Sequence, residues 1–172
     1  HLKVLVLESG LARHTLRKQI PQHDIIITNY ALLRRDLEAL QKFDFSAIIL
    51  DEAQAIKNYK SQTATAVCSL NGTHRLSLTG TPIENNLMEL WSHMQFLNKS
   101  LLGSREQFSN HIMKQDKKEP AENLGRLQKM VYPFILRRTK EDVLTDLPEK
   151  IEQVVYCSMG SRQQEFYNSV KE

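Results

Sequence analysis

The sequence predicts an α/β fold, a doubly wound parallel-sheet core followed by a helical annex. Four short runs, LKVLVL (2–7), DIIIT (24–28), AIIL (47–50) and RLSLT (75–79), are almost continuously apolar and β-prone. Runs of this kind, without strict alternation, are the pattern of strands buried on both faces of a parallel sheet. Helical periodicity falls between them, and after residue 82 amphipathic helices take over. Strands that alternate with helices specify a doubly wound core.

The elements follow in order. Behind the second strand, NYALLRRDLEAL (29–40) carries Leu33, Leu37 and Leu40 at i, i+4, i+7 and leaves Arg34, Arg35 and Glu38 outside. A weaker helix fits 60–70. In NNLMELWSHMQFL (85–97), Leu87, Leu90, Trp91, Met94 and Leu97 share one stripe. SREQF (104–108) has the Ser-x-x-Gln form of a capping box. KQDKKEP (114–120) is a charged loop, and 121–131 a helix carrying Leu124, Leu127 and Val131. RRTKEDVLTDLPEK (137–150) predicts a short helix that stops before Pro148. IEQVVYC (151–157) is a further strand candidate, and SRQQEFY (161–167) offers a second Ser-x-x-Gln helix start.

The bulk composition excludes several classes. At 172 residues the chain can bury one well-formed core with an annex. Its 41% hydrophobic and 25% charged content is that of a soluble globular protein. No apolar run has membrane-span length, and the N-terminus has no signal-peptide pattern. There is no initiator Met, and residue 2 already opens a strand, so the chain reads as cut from a longer polypeptide. Cys68 and Cys157 lie far apart among apolar residues and predict buried free thiols. The scattered histidines and the cysteine spacing argue against a metal cage. A net charge of +3 permits a nucleic-acid partner without requiring one.

The third strand ends in two adjacent carboxylates, Asp51 and Glu52. Ligands of open α/β sheets sit beyond the C-terminal ends of the parallel strands. An Asp there can hold Mg²⁺ through its retained waters, and a neighbouring Glu can orient and deprotonate an attacking water. The pair can also simply cap the next helix, where acids favour the dipole. The fourth strand ends in Thr79, Gly80, Thr81 and Pro82. Two hydroxyls around a glycine can relay hydrogen bonds from the carboxylate tip, or form an ordinary strand-to-helix turn with Pro82 near the helix start.

LDEAQAIKN, then LSLTGTPIENNLMELWS, then PFILRRTKEDVLTDLPEK, in this order and spacing, resemble the Swi/Snf-type family of superfamily-two helicase-like ATPases. These are translocases on double-stranded DNA. The resemblance runs from about residue 2 to the C-terminus. It implies a partial first RecA-like motor lobe over 1–82, a helical protrusion and connector over 83–150, and over 151–172 the start of a link toward a second lobe. It further implies that Asp51 binds magnesium and Glu52 is the catalytic base. Gln54 stands where relatives often carry His; an amide can bridge to other motifs but cannot titrate near neutral pH. Gln54 therefore suits a coupling role. Thr79, Gly80 and Thr81 match the motif that links nucleotide state to DNA grip, and Glu84 replaces a Gln common in relatives.

Thr28, Asn29 and Tyr30 match a segment that touches the DNA backbone, though Asn29 can equally cap the following helix. Lys57 and Asn58 are placed to face DNA or to form a solvated loop. Arg137, Arg138 and Lys140 form a basic cluster that fits phosphate binding or structural salt bridges.

The resemblance implies ATP and Mg²⁺ as cofactors of a full-length parent, and double-stranded DNA as partner. None of the six glycines is followed by Lys, so the Gly-Lys-Ser/Thr phosphate loop lies outside this chain. An N-terminal segment and a second motor lobe of the same polypeptide are then its partners, and the isolated chain is expected to be inactive. Its exposed sheet edges could also promote self-association. DEAQ and a short protrusion look like bacterial relatives, which implies a cytoplasmic, nucleoid-associated location and no membrane. The competing readings are an RNA helicase lobe and a non-catalytic interaction domain with a motor-like fold.

Overall fold

The computed structural model describes residues 1–10, 13–80, 87–110, 120–143 and 151–171. The elements are β1 (Val4–Val6), α1 (Arg13–Lys18), β2 (Ile25–Ile27), α2 (Tyr30–Arg35), α3 (Leu37–Leu40), β3 (Asp44–Leu50), α4 (Gln62–Cys68) and β4 (Asn71–Ser77). Helices α5 (Leu87–Leu97), α6 (Arg105–Phe108), α7 (Pro120–Val131), α8 (Lys140–Val143) and α9 (Ser161–Lys171) follow. The chain divides into two compact units, His1–Pro133 and Phe134–Glu172.

All four predicted strands form, in two parallel pairs. β1 pairs with β2, Leu5 opposite Ile26. β3 pairs with β4 from Asp44 opposite Asn71 to Leu50 opposite Ser77. No ladder joins the two pairs among the described residues. The expectation of strands buried on both faces needs correction. Leu5, Leu7, Ile48 and Leu50 are buried, whereas Val4, Val6, Ile25, Ile27, Ile49, Leu76 and Leu78 are exposed. Side chains alternate across a strand, so the helices of this chain cover one face and leave the other, equally apolar, uncovered.

The covered face meets α2, α3 and α4 in a core that includes Leu33, Leu40, Val67 and Phe96. Asn29 caps α2, its Oδ1 accepting from Leu32 N at 2.9 Å, and Ser61 caps α4 in the same way through Ala64 N. The predicted single helix over 29–40 divides at Asp36, whose 1% exposed carboxylate accepts from Arg17 at 2.8 Å and pairs with Arg13 at 3.3 Å. Gly72 sits at a close approach: a Cβ there would stand 2.6 Å from Ile48 Cδ1, so that side chain would have to shift.

Helix α5 is buried on nearly its whole circumference. Phe96 enters the sheet core. Leu90, Trp91 and Met94 join Leu102, Phe108, Leu127 and Val131 in a second cluster. The capping box at Ser104 forms as predicted, with Gln107 N donating to Ser104 Oγ and Ser104 N donating to Gln107 Oε1. The predicted stripe of α7 narrows to Leu127 and Val131, because Leu124 is 52% exposed.

In the unit from Phe134, Thr139 and Asp142 cap α8 reciprocally. Residues 151–157 form no strand, contrary to expectation, since a strand needs a partner and none is present among the described residues. Cys157 is exposed rather than buried, while Cys68 is half-buried. Helix α9 begins at Ser161, near the expected start, but Gln164 N donates to Gly160 O, so Ser161 is its first residue and the Ser-x-x-Gln pair does not cap it. The charged stretch 114–119 and the stop before Pro148 lie outside the described residues.

Two outcomes test this packing by chemical denaturation. Phe96→Ala should cost about 3–5 kcal/mol, whereas Leu124→Ala should cost under about 0.5 kcal/mol. His93 on α5 is 5% exposed, and neither ring nitrogen has a hydrogen-bond partner among the described residues. Burial lowers its pKa below the usual 6.5, opposed by neighbouring Glu89. The folded state thus resists protonation more than the unfolded state does. Stability contributed by neutral His93 is complete above pH 6.5 and is lost as pH falls from 6.5 through the lowered folded value. His93→Leu should shrink the drop in melting temperature between pH 8 and pH 5; an unchanged drop would refute the assignment.

Candidate active site

The β3–β4 ladder continues past both strands. Leu78 N donates to Leu50 O at 2.8 Å, and Ala53 N donates back to Leu78 O at 2.9 Å. These two bonds pin the residues after β3 against those after β4. Between them the chain turns sharply into a 3₁₀ turn, Ala53–Ile56, anchored by fully buried Ala53 and Ile56. The turn requires Glu52 at φ 48° and ψ 51°, a left-handed conformation unusual for a residue with a β-carbon.

That turn sets the polar groups in a row. Asp51 Oδ1 accepts from Glu52 N at 2.9 Å. Gln54 Nε2 donates to Glu52 Oε2 at 2.6 Å, and Gln54 Oε1 accepts from Thr79 Oγ1 at 3.2 Å. The amide of Gln54 therefore bridges the carboxylate at one strand tip to the hydroxyl at the next. Asp51 and Glu52 are exposed, and a Cβ at Gly80 would meet nothing within 4 Å among the described residues. Thr81, Pro82 and Glu84 lie outside the described residues.

Tyr30 is drawn to the same place. Its hydroxyl donates to the Asp51 carbonyl at 2.7 Å, bridging the end of β2 to the end of β3. Burial raises its pKa, and the charges of Asp51 and Glu52 raise it further, so the phenol remains a donor. Nothing in the sequence signalled this clamp, because its two ends lie 21 residues apart.

Of the other predicted residues, Asn29 spends its side-chain oxygen on the α2 cap, and Asn58 Oδ1 accepts from Lys60 N at 3.0 Å. Thr28 Oγ1 is buried without a partner among the described residues, beside a 400 Å³ depression beyond the tips of β1 and β2 that Glu8, Ser9 and Asn29 also line. Lys57 is half-buried next to this turn. Arg137 and Arg138 are exposed, and the side chain of Lys140 lies outside the described residues. No group of three or more His, Cys, Asp or Glu could hold a metal among the described residues.

A family model described as "SNF2-related domain" matches residues 1–172. The chain belongs to the SNF2-related family. Its similarity extends to the TATA-binding protein-associated factor MOT1 of Saccharomyces cerevisiae, 44% identical over 96% of this chain and 10% of that protein. The putative ATP-dependent helicase/translocase YwqA of Bacillus subtilis is 39% identical over 86% of this chain and 16% of its own length. Among solved structures, the Sulfolobus solfataricus SWI2/SNF2 ATPase core in complex with dsDNA superposes with a TM-score of 0.75 at 40% identity. That alignment covers 98% of this chain and 36% of the archaeal one. The SNF2-related chain thus spans a minor part of the relatives it matches. No helix among its described residues is long and apolar enough to cross a membrane.

Tyr30→Phe should cost about 1 kcal/mol and accelerate amide exchange at Glu52 and Ala53. Unchanged exchange there would show that the phenol does not hold the turn.

Proposed function

We propose that this chain is most of the first motor lobe of an ATP-dependent translocase on double-stranded DNA. The observation that carries the reading is the unbroken hydrogen-bond run Glu52–Gln54–Thr79 across two adjacent strand tips. A cap for the next helix needs no such bridge.

In this reading Asp51 holds magnesium. Glu52 N donates to Oδ1 of the exposed Asp51, which leaves Oδ2 for the ion. One carboxylate oxygen, with no further ligand cluster, suits an ion that keeps most of its waters and takes the rest of its shell from phosphates. Bound there, magnesium would neutralise charge on the nucleotide. Glu52 keeps Oε1 to orient a water and accept its proton, while Oε2 is fixed by Gln54. Gln54 carries no titrating proton, so its part is mechanical: displacement of Thr79 pulls on Glu52, and the reverse. Thr28, with its unpartnered hydroxyl, and Lys57 are assigned to the DNA backbone.

The uncovered sheet face supports the same proposal. Six exposed apolar strand residues, Leu78 just beyond β4, and two strand pairs unjoined among the described residues suit a seat for the rest of the lobe, including a phosphate loop. Without that loop the isolated chain should not turn over ATP; self-association through this face is the competing fate.

The test is ATP turnover by the full-length protein with duplex DNA, single-stranded DNA and RNA. Duplex DNA should stimulate most, and Glu52→Gln should lower the rate by about 10²–10⁴-fold. Stimulation by RNA alone would replace this reading with an RNA helicase, and no turnover would leave an interaction domain. Gln54→Ala should retain basal turnover and lose most of the duplex stimulation.

A further inference from the structure

Asn71 and Gly72 open β4, at the end of the strand away from the candidate site, and the pair carries a chemistry of its own. The amide nitrogen that follows an asparagine can attack the asparagine side chain. It does so most readily when the next residue is glycine, because no β-carbon hinders the swing of the backbone. No other Asn in the chain precedes Gly.

The packing accounts for the glycine. A Cβ at position 72 would stand 2.6 Å from Ile48 Cδ1 on β3, so a larger residue would displace that side chain. The contact that favours glycine therefore also makes the asparagine before it reactive. Asn71 itself is exposed. Its Nδ2 donates to Gln41 O at 3.1 Å, and Gln41 Nε2 donates to Ser69 O at 3.3 Å, which ties the segment before β3 to the segment before β4.

Asn71 opposite Asp44 is the first rung of the β3–β4 ladder. End rungs open at a lower free-energy cost than interior ones. Ring closure onto the side chain needs the Asn71 ψ to leave the extended value of a strand, and the end rung is where the backbone can make that turn.

We propose that Asn71 is a site of spontaneous deamidation whose products loosen the start of the β3–β4 ladder. The Gly72 nitrogen attacks Asn71 Cγ, and the new N–C bond closes a cyclic succinimide. The Cγ–Nδ2 bond breaks, and the side-chain nitrogen leaves as ammonia with the proton that Gly72 gives up. Water then opens the ring. Addition at Cγ breaks the bond just formed and leaves aspartate. Addition at the main-chain carbonyl carbon breaks the original peptide bond and leaves isoaspartate, with the chain running through Cγ. One water is consumed and one ammonia released, and nothing is oxidised or reduced.

Both products place a carboxylate where an amide donated. Gln41 O loses its donor and meets an acceptor instead. The new charge stands opposite Asp44, and like charges directly opposite each other across a ladder repel. Isoaspartate also lengthens the backbone by one carbon, which disturbs the alternation that sets Gly72 against Ile48. None of this depends on the translocase reading.

The experiment holds the folded full-length protein at physiological temperature and mildly alkaline pH, and maps its peptides by mass spectrometry over several weeks. Conversion at Asn71 should run at least about tenfold faster than at Asn98 or Asn168, which precede Lys and Ser. An isoaspartyl methyltransferase should label aged wild type at this peptide and leave aged Asn71→Gln unlabelled, since the longer side chain closes its ring far more slowly. Asn71→Asp, the product made directly, should melt below wild type, and adding Asp44→Asn should recover part of the loss. Conversion no faster than at the other two asparagines overturns the proposal, and rapid conversion in urea would then trace the protection to the fold. An Asn71→Asp variant that melts like wild type overturns it as well, because the ladder would then tolerate the product.

Discussion

Two backbone hydrogen bonds, Leu78 N to Leu50 O and Ala53 N to Leu78 O, carry the β3–β4 ladder beyond its strands. Everything polar at the candidate site depends on them. They set the residues after β3 and those after β4 at a fixed spacing, so one glutamine side chain can reach both. Isolated loops would have to give up conformational entropy to hold such a row; here the ladder has already lost it. The Tyr30 clamp adds a third point of attachment from β2.

Helix α5 extends that constraint outward. It buries Phe96 in the sheet core and Trp91 and Met94 in the helical cluster, and Ser92 Oγ donates to Ile56 O at 2.5 Å. Ile56 ends the 3₁₀ turn that follows Glu52. One helix therefore touches the sheet, the helical cluster and the turn that bears the carboxylates. Tyr59 is stacked edge-on against Trp91 with Arg105 over its face, which joins α6 to the same assembly. Motion at the strand tips has a packed route into the helical part.

Much of this was legible in the sequence. Apolar runs marked all four strands, and the Ser-x-x-Gln pattern marked the start of α6, because both signals are local. The carboxylates were singled out by their place after a strand, and Gln54 by the resemblance to the Swi/Snf-type family. What escaped was non-local. Coverage of the second sheet face depends on what packs there, so composition alone overstated it at Val4, Ile25 and Ile49. The 151–157 run has strand composition without a strand to pair with among the described residues. Nothing local marks Asp36, and only the fold brings Arg13 and Arg17 to it.

The left-handed backbone at Glu52 sets a limit on how this molecule can be improved. Glycine would relax that turn by about 1 kcal/mol, since a β-carbon is disfavoured there. The same change deletes the carboxylate that Gln54 holds. Under the proposed role of Glu52, selection for thermal robustness and selection for turnover pull this one position in opposite directions. A stabilised version of the lobe must gain its margin elsewhere, in the core or on the uncovered face, and leave the strained residue alone.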